Sequence, residues 1–341
     1  MALKDAFENV PAAGEMLSVA DGVWWLRMPL PFNLDHINLY LLEDDDGWLL
    51  IDSGINSPET RALWRQLADR ALGGWPLKRL LATHYHPDHI GLAGWLCCQW
   101  DMPLMTSAPE YRAAEGYLQF VAAGAEVIEA QRASLLRKGL DEAQCDQALK
   151  AIAQAAQGYG ELPGSYEVIS EGDCLLIGGR EWQVRLANGH SPAHITLYCA
   201  ALGVLISGDQ VLPRISSNVS VQPHQQDTNP LKHWLESLQR LKALPSDTLV
   251  LPSHDEPFFG LHSRLDALAA GHQRMLDNLK QWLHVPQTLS QLTHRLYNRP
   301  LKYFDLVLAT GECQAHVNYL IQAGLVCRLD DEDGIALYQR C

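Results

Sequence analysis

No apolar stretch in the chain approaches the 18 or so residues needed to cross a bilayer. The opening Met-Ala-Leu-Lys-Asp-Ala-Phe-Glu also lacks the basic-then-apolar run of a secretory leader. The expected location is therefore the cytosol, with no membrane partner. None of the eight cysteines forms a C-x-x-C pair: Cys97 and Cys98 are adjacent, and Cys145, Cys174, Cys199, Cys313, Cys327 and Cys341 are scattered. Without an export signal they read as small buried hydrophobes in a reducing compartment, not as a disulfide framework. Basic residues are scarce too, 26 Lys and Arg against 40 Asp and Glu, a formal charge of −14. Neutralising phosphates needs the opposite balance, so nucleic acid is not an expected partner. There is no repeat of fixed period and no low-complexity tract.

What remains is a globular composition, 47% hydrophobic and 19% charged, over a 341-residue length that suggests about two domains. Val23–Met28, Asn38–Leu42 and Trp48–Asp52 are apolar, branched or aromatic runs bounded by Asp-Gly and Ser-Gly turns, which predicts short strands. Leu63, Leu67 and Leu72 recur at helical spacing through and just beyond Pro58–Arg70, and Leu77–Ala82 is again strand-like. From Ala108 to about Gly158 the chain is rich in Ala, Glu, Gln and Leu, and Asp141-Glu-Ala-Gln144 has the form of a capping box. This helical insertion reads as a lid, a dimerisation surface that would make a homodimer, or a plain packed element. Strand-like runs return at Tyr166–Ile169, Cys174–Ile177, Trp182–Leu186, Ile195–Cys199, Gly203–Ile206 and Thr248–Leu251. Beyond them the pattern predicts helices at Arg264–His284, Thr288–Tyr297, Tyr303–Leu308 and Gly311–Ala323. A hairpin of Val326–Leu329 with Ile335–Gln339 follows, across the acidic turn Asp330-Asp-Glu-Asp-Gly334. Helices followed by a hairpin suggest a small winged-helix-like module at 266–341, after a first domain at 1–265 with its insertion at about 108–158. The ten tryptophans, Trp24-Trp25 among them, read as core.

The chemistry concentrates in Thr83-His84-Tyr85-His86-Pro87-Asp88-His89, three imidazoles and a carboxylate within six residues. Imidazole suits zinc and related ions, and carboxylate supplies balancing charge. Asp88 falls at a helix start, where negative charge is favoured. Three further strands end the same way: Val184–Ala187 runs into Asn188-Gly189-His190-Ser191-Pro192-Ala193-His194, Gly203–Ile206 into Ser207-Gly208-Asp209, and Thr248–Leu251 into Pro252-Ser253-His254. Ligands at the ends of neighbouring strands can converge on one rim.

The ordered set H-x-H-x-D-H, G-H-S-P-x-H, S-G-D and P-S-H resembles the metallo-β-lactamase superfamily, and within it the hydroxyacylglutathione hydrolase (glyoxalase II)-like branch, over about Leu17 to His262. That resemblance implies an α/β fold, an αββα sandwich carrying the helical insertion and the C-terminal module. It implies that His84, His86 and His190 hold one divalent metal ion, that Asp88, His89 and His254 hold a second, and that Asp209 bridges them. Zinc is the default, and iron or manganese would accept the same donors. A metal-bridging hydroxide would then attack a small ester or thioester, with Asp88 orienting the water or taking its proton. His194 is expected beside the site, orienting neighbours. His36 and Asn38 are either a pocket wall or a satisfied core pair, and Arg214 either holds an anionic substrate group or lies at the surface. Thr83, Ser207 and Ser253 are either supports of the site or ordinary strand-end hydroxyls. The chain departs from the family in reading Pro-Ser-His-Asp-Glu-Pro where Pro-Gly-His-Gly is usual. Alternatives are a phosphodiesterase or nuclease of the same fold, a mononuclear iron dioxygenase, and a non-catalytic sensor whose Gly311–Ala323 helix reads DNA.

Overall fold

Alternation with a period of two decides which way each strand faces. Trp25, Tyr40, Leu49 and Ile51 point one way and meet Trp182, Val184, Ile195, Leu197 and Ile206 in a buried layer between two sheets. Their neighbours Leu26, Leu39, Leu41 and Leu50 point the other way, against Trp64, Leu67, Ile90 and Leu96 of the covering helices. On the far sheet Leu205 and Val250 face outward onto Leu231, Trp234, Leu261 and Leu265. Strands apolar on both faces must be covered on both, and the result is the αββα sandwich.

The structure, a computed structural model, describes residues 2–32, 34–70, 72–222, 225–301, 304–330 and 334–341. The first sheet runs, edge to edge, Met16–Ala20, Val23–Pro29, His36–Asp44, Gly47–Ile51, Leu77–Leu81, Leu104–Thr106 and Glu167–Val168. The second runs Lys4–Asp5, Phe258–Phe259, Leu249–Pro252, Val204–Gly208, His194–Cys199, Arg180–Ala187 and Cys174–Ile177. Among the described residues no helix is long and apolar enough to cross a membrane.

The insertion forms three helices, Ala108–Ala122, Ala125–Arg137 and Glu142–Ala156, the last opened by the expected capping box of Asp141 and Gln144. Leu135, Leu140, Cys145 and Ala148 pack on Leu301, Leu306 and Ala309, so this part of the insertion is docked against the C-terminal segment. Leu261–Trp282 is one continuous helix that runs through the expected boundary at residue 265. Leu289–Tyr297 and Phe304–Gln322 follow, with a three-stranded sheet ordered Gln287–Thr288, Ala336–Arg340, Val326–Asp330.

Two expectations are corrected here. The predicted break between Leu308 and Gly311 is absent, because Phe304–Gln322 is a single helix. Gly311 is there for close approach: a Cβ on it would stand 2.8 Å from Ser220 Oγ. The cysteines are also not all unpaired hydrophobes. Cys97, Cys145, Cys199 and Cys313 are buried, but Cys98 and Cys174 are exposed, and Cys327 and Cys341 form a disulfide. Cys327 lies opposite Gln339 in the hairpin register, which brings Cys341, two residues on, to a Cα separation of 5.5 Å. Tyr303, the predicted start of a helix, and positions 331–333 of the acidic turn lie outside the described residues.

Glu312, on the buried side of the long C-terminal helix, accepts a hydrogen bond from the Tyr297 hydroxyl. Burial pushes its carboxyl up from 4.5 to about 7, against the opposing effect of that hydrogen bond. Between those two pH values the native state holds a proton that the unfolded chain has released. The stability contributed is therefore complete below about pH 4.5 and is lost as pH rises to about 7. Glu312→Gln should remove this slope and leave the variant about 1–3 kcal/mol more stable than the parent at alkaline pH. Urea unfolding of both proteins on either side of the window checks it, and a constant difference between them would refute it.

Candidate metal centre

The seven expected ligands all lie at one rim of the sandwich. Gly47–Ile51 runs parallel to Leu77–Leu81, and Val204–Gly208 parallel to Leu249–Pro252, so the carboxyl ends of each pair emerge together. His84 and His86 follow Leu77–Leu81, and Asp88 and His89 sit in the short helix Pro87–Ile90. His190 follows Arg180–Ala187, Asp209 follows Val204–Gly208, and His254 follows Leu249–Pro252.

The ligand atoms sort into two groups around Asp209. His84 Nε2 lies 2.8 Å from His86 Nδ1 and 3.2 Å from His190 Nε2. Asp209 Oδ2 faces this group, 3.4 Å from His190 Nε2 and 3.9 Å from His84 Nε2. Oδ1 of the same carboxylate faces the other way, 3.5 Å from His89 Nε2 and 3.4 Å from His254 Nε2. Asp88 Oδ2 closes that second group at 3.6 and 3.4 Å from the same two nitrogens. Donors sharing a tetrahedral ion at about 2.0–2.1 Å would stand about 3.3–3.4 Å apart, close to these spacings. His89 Nε2 and Asp209 Oδ1 are buried without a hydrogen-bond partner, a costly state unless a cation takes them up. His84, His86, His190 and Asp209 could hold one metal ion, and Asp88, His89 and His254 another. The nitrogen and oxygen donors suit divalent ions.

Electrostatics differ between the groups. Burial, reinforced by neighbouring imidazoles, holds His84 well below the usual histidine range and pushes His86 down to about 3, so both keep a free lone pair. His89 and His254 are pushed the other way: burial opposes their charge, but the surrounding carboxylates, Asp88 and Asp209 in both cases, outweigh it. Their imidazoles in turn overcome the burial of Asp88 and Asp209, holding Asp88 down to about 2 and Asp209 well below the carboxylate range. A cation entering the second group would displace protons.

The residues expected beside the site resolve as follows. His194 accepts a hydrogen bond from the Asp209 backbone N–H (3.1 Å) and stacks on His84, with ring centroids 4.7 Å apart. A Cβ on Gly208 would stand 2.4 Å from that ring, which accounts for glycine in Ser-Gly-Asp. Thr83 supports the site directly, its hydroxyl donating to Asp52 and contacting His84 Nδ1 at 3.1 Å. His36 and Asn38 are tied by hydrogen bonds to the loop that carries His254. The His36 carbonyl accepts from His254 Nδ1, its ring accepts from Asp255 N–H, and Asn38 donates to the carbonyls of Pro252 and Asp255. Asp255 has φ +62°, a conformation that glycine would adopt freely, so these contacts hold in place the chain's departure from Pro-Gly-His-Gly. Arg214 is at the surface, half-exposed and paired with Asp5 and Glu256 at 3.4 and 2.6 Å.

Two carboxylates were missed. Asp52 Oδ2 lies 2.8 Å from His89 Nδ1, and the same side chain accepts from Thr83 N–H and Oγ1. Its signal was visible as another strand ending in a polar residue, in Asp52-Ser53-Gly54. Glu110, buried in the first turn of the insertion, accepts from Tyr85 N–H, Ser191 Oγ and Ala193 N–H, tying two ligand loops together. Nothing in the sequence distinguishes it from an ordinary acidic residue opening a helix.

The fold and this rim define a metal-dependent hydrolase class. The sequence profile of the metallo-beta-lactamase superfamily matches residues 33–254, and that of the metallo-beta-lactamase-like C-terminal domain matches 276–341. The chain belongs to the metallo-β-lactamase superfamily. It is similar to a crystal structure of a beta-lactamase domain protein from Burkholderia ambifaria, with TM-score 0.92 and 40% identity, covering 99% of this chain and 98% of that one. A probable metallo-hydrolase of Bacillus subtilis (strain 168) is 27% identical over 306 residues, 86% of this chain and 91% of the relative. A hydroxyacylglutathione hydrolase of Rhodobacter capsulatus is 26% identical over 252 residues, 67% of this chain and 74% of the relative.

Removing a carboxylate behind a ligating histidine typically weakens metal binding about 10–100-fold. Asp52→Ala should therefore lose metal from the His89 group by roughly that factor while the His84 group keeps its own. Competition with a chelator, read by elemental analysis, gives the two affinities, and an unchanged weaker site would exclude this role.

Proposed function

We propose that the chain is a dinuclear metal-dependent hydrolase of a small ester or thioester. The observation that carries the reading is Asp209, whose two oxygens face two separate sets of ligand atoms, the arrangement a carboxylate needs to serve two ions at once. His84, His86 and His190 would hold one ion, Asp88, His89 and His254 the other, with zinc the default for this donor set. When bound, such ions polarise a carbonyl oxygen and lower the pKa of water.

The chain's own residues do the rest. Asp88, a carboxylate held ionised beside the ligand nitrogens, would accept a hydrogen bond from a water and orient it. His84 and His86, kept neutral, present lone pairs without competition from protons. A thiolate departs without strong acid assistance, so a site equipped in this way suits a thioester better than an amide. Similarity to hydroxyacylglutathione hydrolases supports the same substrate class.

The test is a panel of acyl-thioesters, carboxylic esters and phosphodiesters offered to zinc-loaded protein, with metal counted per chain. Thioester or ester turnover with about two equivalents is the expected result for a two-metal site. Turnover of phosphodiesters alone would favour a nuclease, one iron with oxygen uptake a dioxygenase, and operator binding without turnover a sensor. His84→Ala should abolish turnover and remove one metal equivalent, and full activity in that variant would overturn the assignment.

A further inference from the structure

On the helix-covered face of the first sheet, at the end away from the metal rim, aromatic rings and a carboxylate surround an open hollow of about 290 Å3. Trp24, Glu43 and Trp48 stand on three adjacent strands, with Glu43 directly opposite Trp48 in the register. Met16, Leu72 and Trp75 complete its wall. The Trp24 and Trp48 rings are perpendicular, with centroids 6.4 Å apart, and Trp75 lies 6.0 Å from Trp48 at 53°.

The rings are held in place. Trp24 Nε1 donates to Glu43 Oε1 at 2.8 Å. The Leu72 carbonyl accepts from both Trp48 Nε1 (3.3 Å) and the Trp75 N–H (2.9 Å), which anchors the turn carrying Trp75. Gly73 and Gly74 in that turn have φ of +62° and +81°, so a left-handed bend fixes where the third ring stands. Trp75 nevertheless remains 44% exposed, an indole kept at the surface. Arg180, which reaches the neighbouring turn at Gly22, pairs with Asp21, and no ion pair of Glu43 forms among the described residues.

We propose that this hollow binds a methylated ammonium cation, with the three indoles as its walls and Glu43 as its counter-charge. Indole is the best aromatic partner for a cation, and cages of such rings suit methylated ammonium groups. A primary ammonium is strongly hydrated and brings three N–H donors. Here a single carboxylate, already engaged by Trp24, stands among indole and aliphatic walls, so a primary ammonium would surrender hydration on most sides for contact with carbon. A methylated ammonium needs only apolar walls and an opposing charge. Trp48 lies near the start of the strand that ends at Ile51, beside Asp52, so about 13 Å of strand separates the hollow from the metal rim. The proposal is therefore independent of the hydrolase reading.

Isothermal titration of the full chain with tetramethylammonium chloride, against sodium chloride at matched ionic strength, tests it. Choline and its uncharged isostere 3,3-dimethylbutan-1-ol are titrated in parallel. Saturable binding of both cations is expected, with the isostere about tenfold weaker or more. Trp75→Ala and Glu43→Gln should each weaken tetramethylammonium binding about five- to thirty-fold, with Trp75→Phe recovering most of the loss. Trp75 is exposed and its truncation leaves the core intact, which circular dichroism verifies. Absence of saturable heat, equal affinity for the isostere, or a Trp75→Ala variant that binds like the parent would each overturn the proposal.

Discussion

A carboxylate buried between two groups of imidazoles is the constraint on which the rest of the rim depends. Asp209 is 7% exposed, and five of the seven ligand side chains come from loops that nothing local would hold still. The structure meets this by occupying the far nitrogen of nearly every imidazole. Nδ1 of His84 contacts Thr83 Oγ1, that of His89 meets Asp52, that of His190 meets the Asn218 carbonyl, and that of His254 meets the His36 carbonyl. Each contact points Nε2 inward, and where the partner is a carbonyl or carboxylate it holds a proton on Nδ1, leaving Nε2 as the atom that would meet a cation. His86 is the exception, turning Nδ1 toward His84.

Loops can be held to such tolerances only if their scaffolds do not slide. Main-chain hydrogen bonds stitch the two sheets together at this rim: Ile195 donates to Thr83 at 2.8 Å, and Asn38 donates to Ser253 at 2.6 Å. Within the second sheet Ser253 donates to Gly208 at 3.2 Å. Every one of these residues is within two positions of a ligand or of a residue that supports one. The sandwich is thus locked at the end where position matters to chemistry. At its opposite end the first sheet opens into the tryptophan-lined hollow.

Local pattern made part of this legible. Strand residues facing the core on both sides are continuous apolar runs, and ligands placed directly after them stand out because histidine and aspartate there break the run abruptly. Asp52 obeyed the same rule but stood alone, without the cluster that made His84 to His89 conspicuous. Glu110 and Asn218 act only through loops distant in sequence, so their roles exist in the folded chain and not in any window of it. The disulfide depends on hairpin register, which spacing of cysteines does not reveal. Arg214, a cation near a pocket loop, finds two carboxylates of its own.

The C-terminal helix spends most of its surface on contacts within the chain. Its middle, from Leu306 and Ala309 through Asn318 and Leu320, is largely buried. Its polar groups turn inward onto the segment after Asp209. The Leu308 carbonyl accepts from Asn218 and Ser220, the Gly311 carbonyl accepts from Val221 N–H, and Gln314 and Asn318 donate to the carbonyl of Gln226. Asn218 in turn holds His190 through its own carbonyl at 2.8 Å. A glycine at 311 is what allows Ser220 to sit against the helix, so the residue that looked like a helix boundary in the sequence is a point of contact. The C-terminal segment therefore braces the loop behind His190, and residues more than a hundred positions from that histidine fix where it points.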